Sequence, residues 1–190
     1  MTRLPAVLAL LLGLLAATPA AAQATLEAAM AALAAVPRST ARFSEEKSIP
    51  ELSSPLPSTG TLSWQAPDRL EKHTTWPAEE TLRVEGDRLL LARPAQNIRQ
   101  ELSLDQSPEI RPFVEAIRAT LAGDAATLRR FYDLSFRPEG DGWHMVLVPL
   151  SLRIRAVLQQ VDVYGAGGAV RQVETRGNDG ITRLRITPDP

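Results

Sequence analysis

The sequence contains no cysteine and only two histidines. Disulfide bonds and thiolate metal sites are therefore excluded. His73 and His144 are far apart, and no third ligand follows at a spacing typical of metal sites. We therefore expect neither a metal site nor a cofactor. A lipid anchor of the bacterial type needs a cysteine at the cleavage point, so none is expected here.

The charge balance excludes a second class of proteins. The formal net charge is −1 in 190 residues, and no basic arm or basic patch is visible. Because nucleic-acid binding needs clustered lysine and arginine, nucleic acid is not an expected partner. The length favours a single domain with a substantial core.

The first 22 residues have the pattern of an export signal. Arg3 supplies a positive charge, residues 4–15 are apolar, and residues 20–22 are three alanines. The apolar run is short for a membrane span of ~20 residues, although an uncleaved anchor is the alternative. The pattern predicts a cleaved signal peptide over 1–22, a single mature domain over 23–190 and a periplasmic location.

Residues 60–94 predict four short antiparallel strands. Leu62 and Trp64 share one face of the first strand because side chains alternate along a strand. Pro67 interrupts the ladder because proline has no N–H to donate, and Gly86 lies in a turn. Such a meander must bury its apolar face against other elements.

The remaining chain adds helices around further strands. A helix is predicted over 25–36, a second from Ser107 to Gly123 with Ser107 as N-cap, and a short third after Asp124. Residues 149–156 fit either a helical turn or an irregular crossing. Together these elements predict an α+β, mainly β fold: an open, incomplete antiparallel β-barrel of about ten strands with a helical lid. A closed barrel filled by its own side chains is the alternative. The other predicted strands cover 39–49, 98–104, 132–137, 143–148, 157–164, 170–176 and 181–186, with a loop over 50–58.

The motifs that suggest catalysis lack their context. Ser44 and Lys47 match a Ser-x-x-Lys pattern, but they fall on a strand and the partner motifs of those enzymes are absent. Glu45 and Glu46 point to opposite faces of a strand and cannot form a two-carboxylate site. We therefore expect no enzymatic activity. A lipid-active hydrolase built on one of the two histidines is a third hypothesis.

The apolar side chains that share the inward face are more informative. They line either a filled core or a cavity that accepts an apolar ligand, and sequence alone does not separate the two. The predicted set is Phe43, Leu62, Trp64, Leu70, Leu82, Val84, Leu91, Leu134, Phe136, Met145 and Leu147 from strands, with Phe113, Ile117 and Leu121 from the second helix.

Three segments in order resemble a known family. They are residues 39–46 (STARFSEE), 60–70 (GTLSWQAPDRL) and 82–89 (LRVEGDRL). In this order after an export signal, they resemble divergent members of the periplasmic outer-membrane lipoprotein carrier (LolA-like) family. The resemblance implies an incomplete barrel with a helical lid and a cavity for acyl chains. It also implies delivery from an inner-membrane transporter to an outer-membrane receptor.

The sequence departs from this family at two places. An arginine that locks the lid aligns with Ala66, so the lock is missing or relocated. Lys72 aligns with an aromatic wall position. If it faces the cavity, its ammonium group needs an anionic head group or a carboxylate such as Glu45; a register slip of one residue would instead place it in water.

The resulting hypothesis is a periplasmic carrier that shields the acyl chains of its cargo in transit from inner to outer membrane. The cargo is a lipoprotein, a glycolipid or another lipid, and the carrier is expected to be a monomer. The alternative is a periplasmic interaction or sensor module on the same fold, without transported cargo.

Overall fold

The computed structural model describes residues 25–189. The chain forms one antiparallel sheet of eleven strands in the order β6-β5-β4-β3-β2-β1-β11-β10-β9-β8-β7. The edge strands β6 and β7 are not paired with each other, so the barrel is open. The strands are β1 Arg38–Ser48, β2 Leu56–Gln65, β3 Arg69–Trp76, β4 Glu80–Glu85, β5 Arg88–Arg93, β6 Ile98–Ser103, β7 Tyr132–Glu139, β8 Gly142–Pro149, β9 Leu158–Ala166, β10 Ala169–Gly177 and β11 Gly180–Pro188.

Four helices accompany the sheet: α1 Leu26–Ala34, α2 Arg111–Leu121, α3 Ala125–Phe131 and the single turn α4 Leu152–Arg155. The predicted open barrel with a helical lid is confirmed, with eleven strands instead of about ten. Residues 149–156 prove to include the helical turn α4. The predicted signal peptide over 1–22 lies outside the described residues.

Local sequence explains three of the helix ends. The Thr25 side chain accepts a hydrogen bond from the Ala28 backbone N–H and caps α1. Gly123 follows α2 with a positive φ of 68°, the conformation that glycine adopts without steric cost. Asp124 then caps α3 by accepting from the Thr127 N–H at 2.9 Å. Three of the predicted helix boundaries are therefore explained by side-chain capping or by the backbone freedom of glycine.

Two predicted boundaries are wrong. Helix α2 begins at Arg111, not at Ser107, because residues 107–110 form a turn in which the Ser107 carbonyl accepts from the Ile110 N–H. Strand β2 begins at Leu56, inside the predicted loop. At Pro57 the strand is paired with β1 alone, because β3 pairs with β2 only from Thr59 onward, and proline is found where one side of a strand is unpaired.

The core consists of two separate apolar clusters on the inner face of the sheet. The larger cluster joins β7, β8 and β9 to α1, α3, α4 and one side of α2. The smaller cluster joins β2, β3, β4 and β5 to another side of α2. Between them lie β1, β11 and β10, so α2 is the element that both clusters share. The smaller cluster contains Trp64, Leu70, Val84, Leu89, Leu104 and Val114.

Candidate ligand-binding strip on the inner face

Helix α2 exposes an apolar side chain between the two clusters. Phe113 packs against the larger cluster and Leu121 against the smaller one. Ile117 lies between them on the helix, since residues four apart share a face. Its relative exposure is 48%, while Phe113 and Leu121, one turn away on either side, are partly buried. The apolar face of α2 is thus incompletely covered at its middle.

The sheet provides further half-buried apolar side chains on the same inner face. Antiparallel pairing aligns Phe43 with Ile186, and Glu45 with Leu184, while Leu62 is aligned with Ala41 on the other side of β1. Leu62, Leu184 and Ile186 are each only partly buried. We call this set the inner strip: Leu62, Phe113, Ile117, Leu121, Leu184 and Ile186.

The structure places the predicted cavity residues in three environments. Met145 and Leu147 are fully buried in the larger cluster, with Leu134 and Phe136 packed against it. Trp64, Leu70 and Val84 are buried in the smaller cluster, with Leu82 packed against it. Phe43 is buried, and Leu91 is half-buried on β5. The whole set shares the inner face, and its contact with a ligand remains a prediction.

Sequence reasoning missed Leu184 and Ile186. The signal was present, because Arg183 and Arg185 alternate with them along β11. Such alternation of apolar and charged residues indicates a strand with one buried face. Because β11 pairs with β1, Ile186 lies beside Phe43 and Leu184 lies beside Glu45.

A polar group lies on the inner face beside the strip. The Lys72 ammonium donates to Glu45 Oε2 at 2.5 Å, and Ser58 Oγ donates to Glu45 Oε1 at 3.1 Å. Lys72 Nζ also lies 4.9 Å from the centroid of the Phe43 ring, within the range of a cation–π interaction. Leu62 is aligned with Lys72 across β2 and β3, so the alternative register with Lys72 in water is wrong.

Two arginines tie α2 to the turn between β4 and β5. Arg118 Nη1 donates to the Gly86 carbonyl at 2.8 Å, and Arg111 Nη2 donates to Asp87 Oδ1 at 2.8 Å. Both guanidinium groups also contact Glu115, which is buried within α2. The helix itself therefore carries the charged groups that hold it over the sheet, while Ala66 is exposed.

The arginine side of α2 borders an open cleft of about 680 Å³. Its lining includes Arg111, Arg118 and Arg130 together with Asp87 and acidic neighbours, and none of the predicted cavity residues borders it. Because these charges largely pair with one another, the cleft is a poor environment for an acyl chain. We therefore place the candidate site at the inner strip, on the apolar side of the same helix.

The first turn of α2 is also anchored to the sheet on its other side. The Tyr132 hydroxyl donates to the Pro112 carbonyl at 2.6 Å. Burial raises the pKa of Tyr132 above its ordinary value, and the negative charge of Glu115 adds to this effect. The phenol therefore remains a donor across the physiological pH range.

The two histidines do not form a shared site. His73 lies on β3 and His144 on β8, with five strands between them. His144 is buried on the outer face of the sheet. Its Nε2 lies 2.8 Å from Asp162 Oδ1, and its Nδ1 lies 3.3 Å from Glu139 Oε2. Within residues 25–189 neither ring nitrogen is hydrogen-bonded to a serine, as the hydrolase hypothesis would require.

Taken together, the open sheet and the apolar strip beneath a tethered helix define a class of protein, the incomplete β-barrel with a helical lid. A model of the family described as outer membrane lipoprotein carrier protein LolA-like matches residues 16–186. Because this match spans most of the chain, the protein belongs to the LolA-like family. Membership supports, at the family level, a lipid- or lipoprotein-binding carrier role, and the family is one of carriers and not of known enzymes.

Solved structures with similar folds are distant in sequence. A LolA superfamily protein from Nitrosomonas europaea is 10% identical, with a TM-score of 0.42 over 86% of this chain and 92% of that chain. A DUF1329 family protein from Desulfovibrio piger is 10% identical, with a TM-score of 0.40 over 85% and 88%. The complex of the CwlD amidase with the GerS lipoprotein from Clostridioides difficile gives 12% identity and a TM-score of 0.38 over 76% and 79%.

Comparison with curated protein sequences gave no significant match. Among residues 25–189, no helix has the length and apolar character needed to cross a bilayer.

Proposed function

We propose that this protein is a periplasmic carrier that shields the acyl chains of a lipoprotein or lipid-like cargo between the inner and outer membranes. The observation that carries the proposal is the half-exposed Ile117, which lies on α2 between Phe113 and Leu121, the residues that pack against the two clusters. Apolar surface left in water at a concave face is a common mark of a ligand site. Acyl chains are the fitting ligand, because burial of each CH₂ stabilises by about 0.8 kcal/mol.

The neighbouring polar group suggests how a head group is accommodated. Glu45 neutralises Lys72 in the unliganded protein. An anionic head group would take over part of this pairing, so Glu45→Gln should favour anionic amphiphiles over neutral ones. This arrangement accommodates a glycolipid or another acylated molecule as well as a lipoprotein. On the basis of the family-level role, we infer that the protein receives its cargo from a membrane transporter and passes it to a membrane receptor.

The experiment is a titration with a fluorescent fatty acid. Ile117→Asp should lower its affinity by about tenfold or more, because a carboxylate within the strip must be desolvated on binding. Leu52→Asp is the matched control, since Leu52 is 47% exposed in the loop between β1 and β2 and Ile117 is 48% exposed. Both variants should unfold at nearly the wild-type temperature, so that a loss of binding is not a loss of folding.

Two outcomes would contradict the carrier. The first is wild-type protein that takes up no probe, and the second is an Ile117→Asp variant that binds as tightly as wild type. Either would favour the interaction or sensor module, a reading supported by the complete burial of Met145 and Leu147 on the same inner face. Native mass spectrometry of protein from a periplasmic extract would then identify the cargo class or a protein partner.

A further inference from the structure

The connection between β8 and β9 exposes apolar side chains at one end of the sheet. We call residues 149–157 the β8–β9 tip. Leu152 is 79% exposed, the highest value for a large hydrophobic side chain among residues 25–189, while Leu150 is 50% and Val157 is 46% exposed. Three such side chains within eight residues form a local patch and not a scatter of single residues.

The tip is an ordered turn, and its geometry forces Leu152 outward. Ile154 is buried in the larger cluster. Two residues along a helix are 200° apart, so Leu152 projects on the side opposite to Ile154. The turn is closed by hydrogen bonds from the Arg155 N–H to the Ser151 carbonyl and from the Ala156 N–H to the Leu152 carbonyl. Leu152 is thus held away from the core by a fold that buries its neighbour.

The charged residues of the tip are both arginines. Arg153 and Arg155 follow Leu152 on the same turn, and residues 149–157 contain no acidic residue. The Leu150 N–H donates to the Phe131 carbonyl at 2.9 Å, which places the tip beside the end of α3. There Arg129 and Arg130 are exposed and add to the positive surface, with Asp133 the next acidic residue along the chain.

We propose that the β8–β9 tip docks the protein on the surface of an anionic membrane. Leucine and valine side chains that project beyond the backbone can enter the boundary between head groups and acyl chains, and flanking arginines meet the phosphates. The charged residues of the tip itself, Arg153 and Arg155, have a single sign, which favours an anionic lipid surface over a protein groove, where paired charges of both signs are usual. This surface is distinct from the inner strip and goes beyond the proposed carrier function.

Co-sedimentation with vesicles tests the proposal. Wild-type protein should bind vesicles of phosphatidylglycerol mixed with phosphatidylcholine, bind less as salt rises, and bind vesicles of phosphatidylcholine alone far more weakly. Leu152→Ser should weaken binding by about tenfold, as expected for one buried leucine. Arg153→Gln and Arg129→Gln should each weaken it by about fivefold.

Controls separate this result from folding and from cargo binding. Leu52→Ser removes an exposed leucine that follows Glu51, in a loop (residues 49–55) that contains no lysine or arginine, and should bind vesicles as wild type does. Ile117→Asp should also retain vesicle binding, so failure of the carrier proposal would leave this test intact. The inference is overturned if wild type does not sediment, if both vesicle types bind equally, or if Leu152→Ser is unaffected. Binding of a purified partner protein to the β8–β9 tip, with no binding of vesicles, would likewise overturn the inference.

Discussion

The two halves of the inner face contain similar side chains in different surroundings. Under β7, β8 and β9, three helices and part of α2 cover the sheet, and Leu128, Met145 and Leu147 have no exposed surface. Under β2, β3, β4 and β5, α2 provides the helical cover and Leu82 remains half-buried. The strand pattern alone does not decide whether an inward residue is core or available surface, because Val84 is buried and Leu82 is half-buried on the same face of β4.

The largest expected effect is therefore the difference in stability between side-chain truncations in the two regions. Leu147→Ala should lower the free energy of unfolding by about 3 kcal/mol, because it leaves a cavity in a fully packed cluster. Leu62→Ala, on the half-buried strip, should lower it by about 1 kcal/mol or less. Urea denaturation of both variants measures the difference. Equal losses would show that the strip is packed as tightly as the core.

The arginine contacts of α2 test whether the shared helix is held by charge as well as by apolar packing. Arg118→Ala should destabilise the protein by about 2 kcal/mol, because it removes the donor to the Gly86 carbonyl and leaves the buried Glu115 carboxylate with less compensation. Hydrogen exchange in α2 should rise more than in β8. Arg118→Lys keeps the charge without the planar fork, so its free energy of unfolding should lie between those of wild type and Arg118→Ala.

If α2 exchanges no faster in Arg118→Ala than in wild type, these contacts do not restrain the helix. Fatty-acid uptake by the same variant shows whether a looser α2 changes access to the inner strip.

The smallest expected effect concerns α3, which belongs only to the well-covered half. Hydrogen bonding from Thr127 lowers the pKa of Asp124 below its ordinary value of 3.8. A carboxyl group with a depressed pKa stabilises the folded state above its unfolded pKa, and this contribution is lost as the pH falls through the folded value. Asp124→Ala should thus cost about 1 kcal/mol near pH 7 and less in acid.

Unfolding of Asp124→Ala followed from pH 7 to pH 3 checks this dependence. Asp124→Asn retains a capping oxygen and should recover most of the stability without the pH dependence. A cost for Asp124→Ala that stays constant down to pH 3 would exclude the charged cap as its source.

Local chemistry in the sequence was sufficient for the strands, most turns and several helix ends. Alternation placed Leu62 and Trp64 on one face, and Thr25, Gly123 and Asp124 marked helix boundaries through their capping preferences. The start of α2 was mispredicted because Ser107 and Pro108 fit a helix start as well as they fit the turn that forms. The pairing of Glu45 with Lys72 was anticipated only as one of several options.

The sequence by itself determined an antiparallel sheet with one apolar face, because the period of two and the turn residues are local properties of the chain. Only the tertiary structure decided which apolar residues are core and which form the inner strip. It also decided that Arg111 and Arg118 of α2, with Ala66 exposed, bind the lid to the sheet. The physical reason is that burial and ion pairing depend on elements distant in sequence: Arg111 meets Asp87, 24 residues earlier in the chain, and Arg118 meets Gly86, 32 residues earlier.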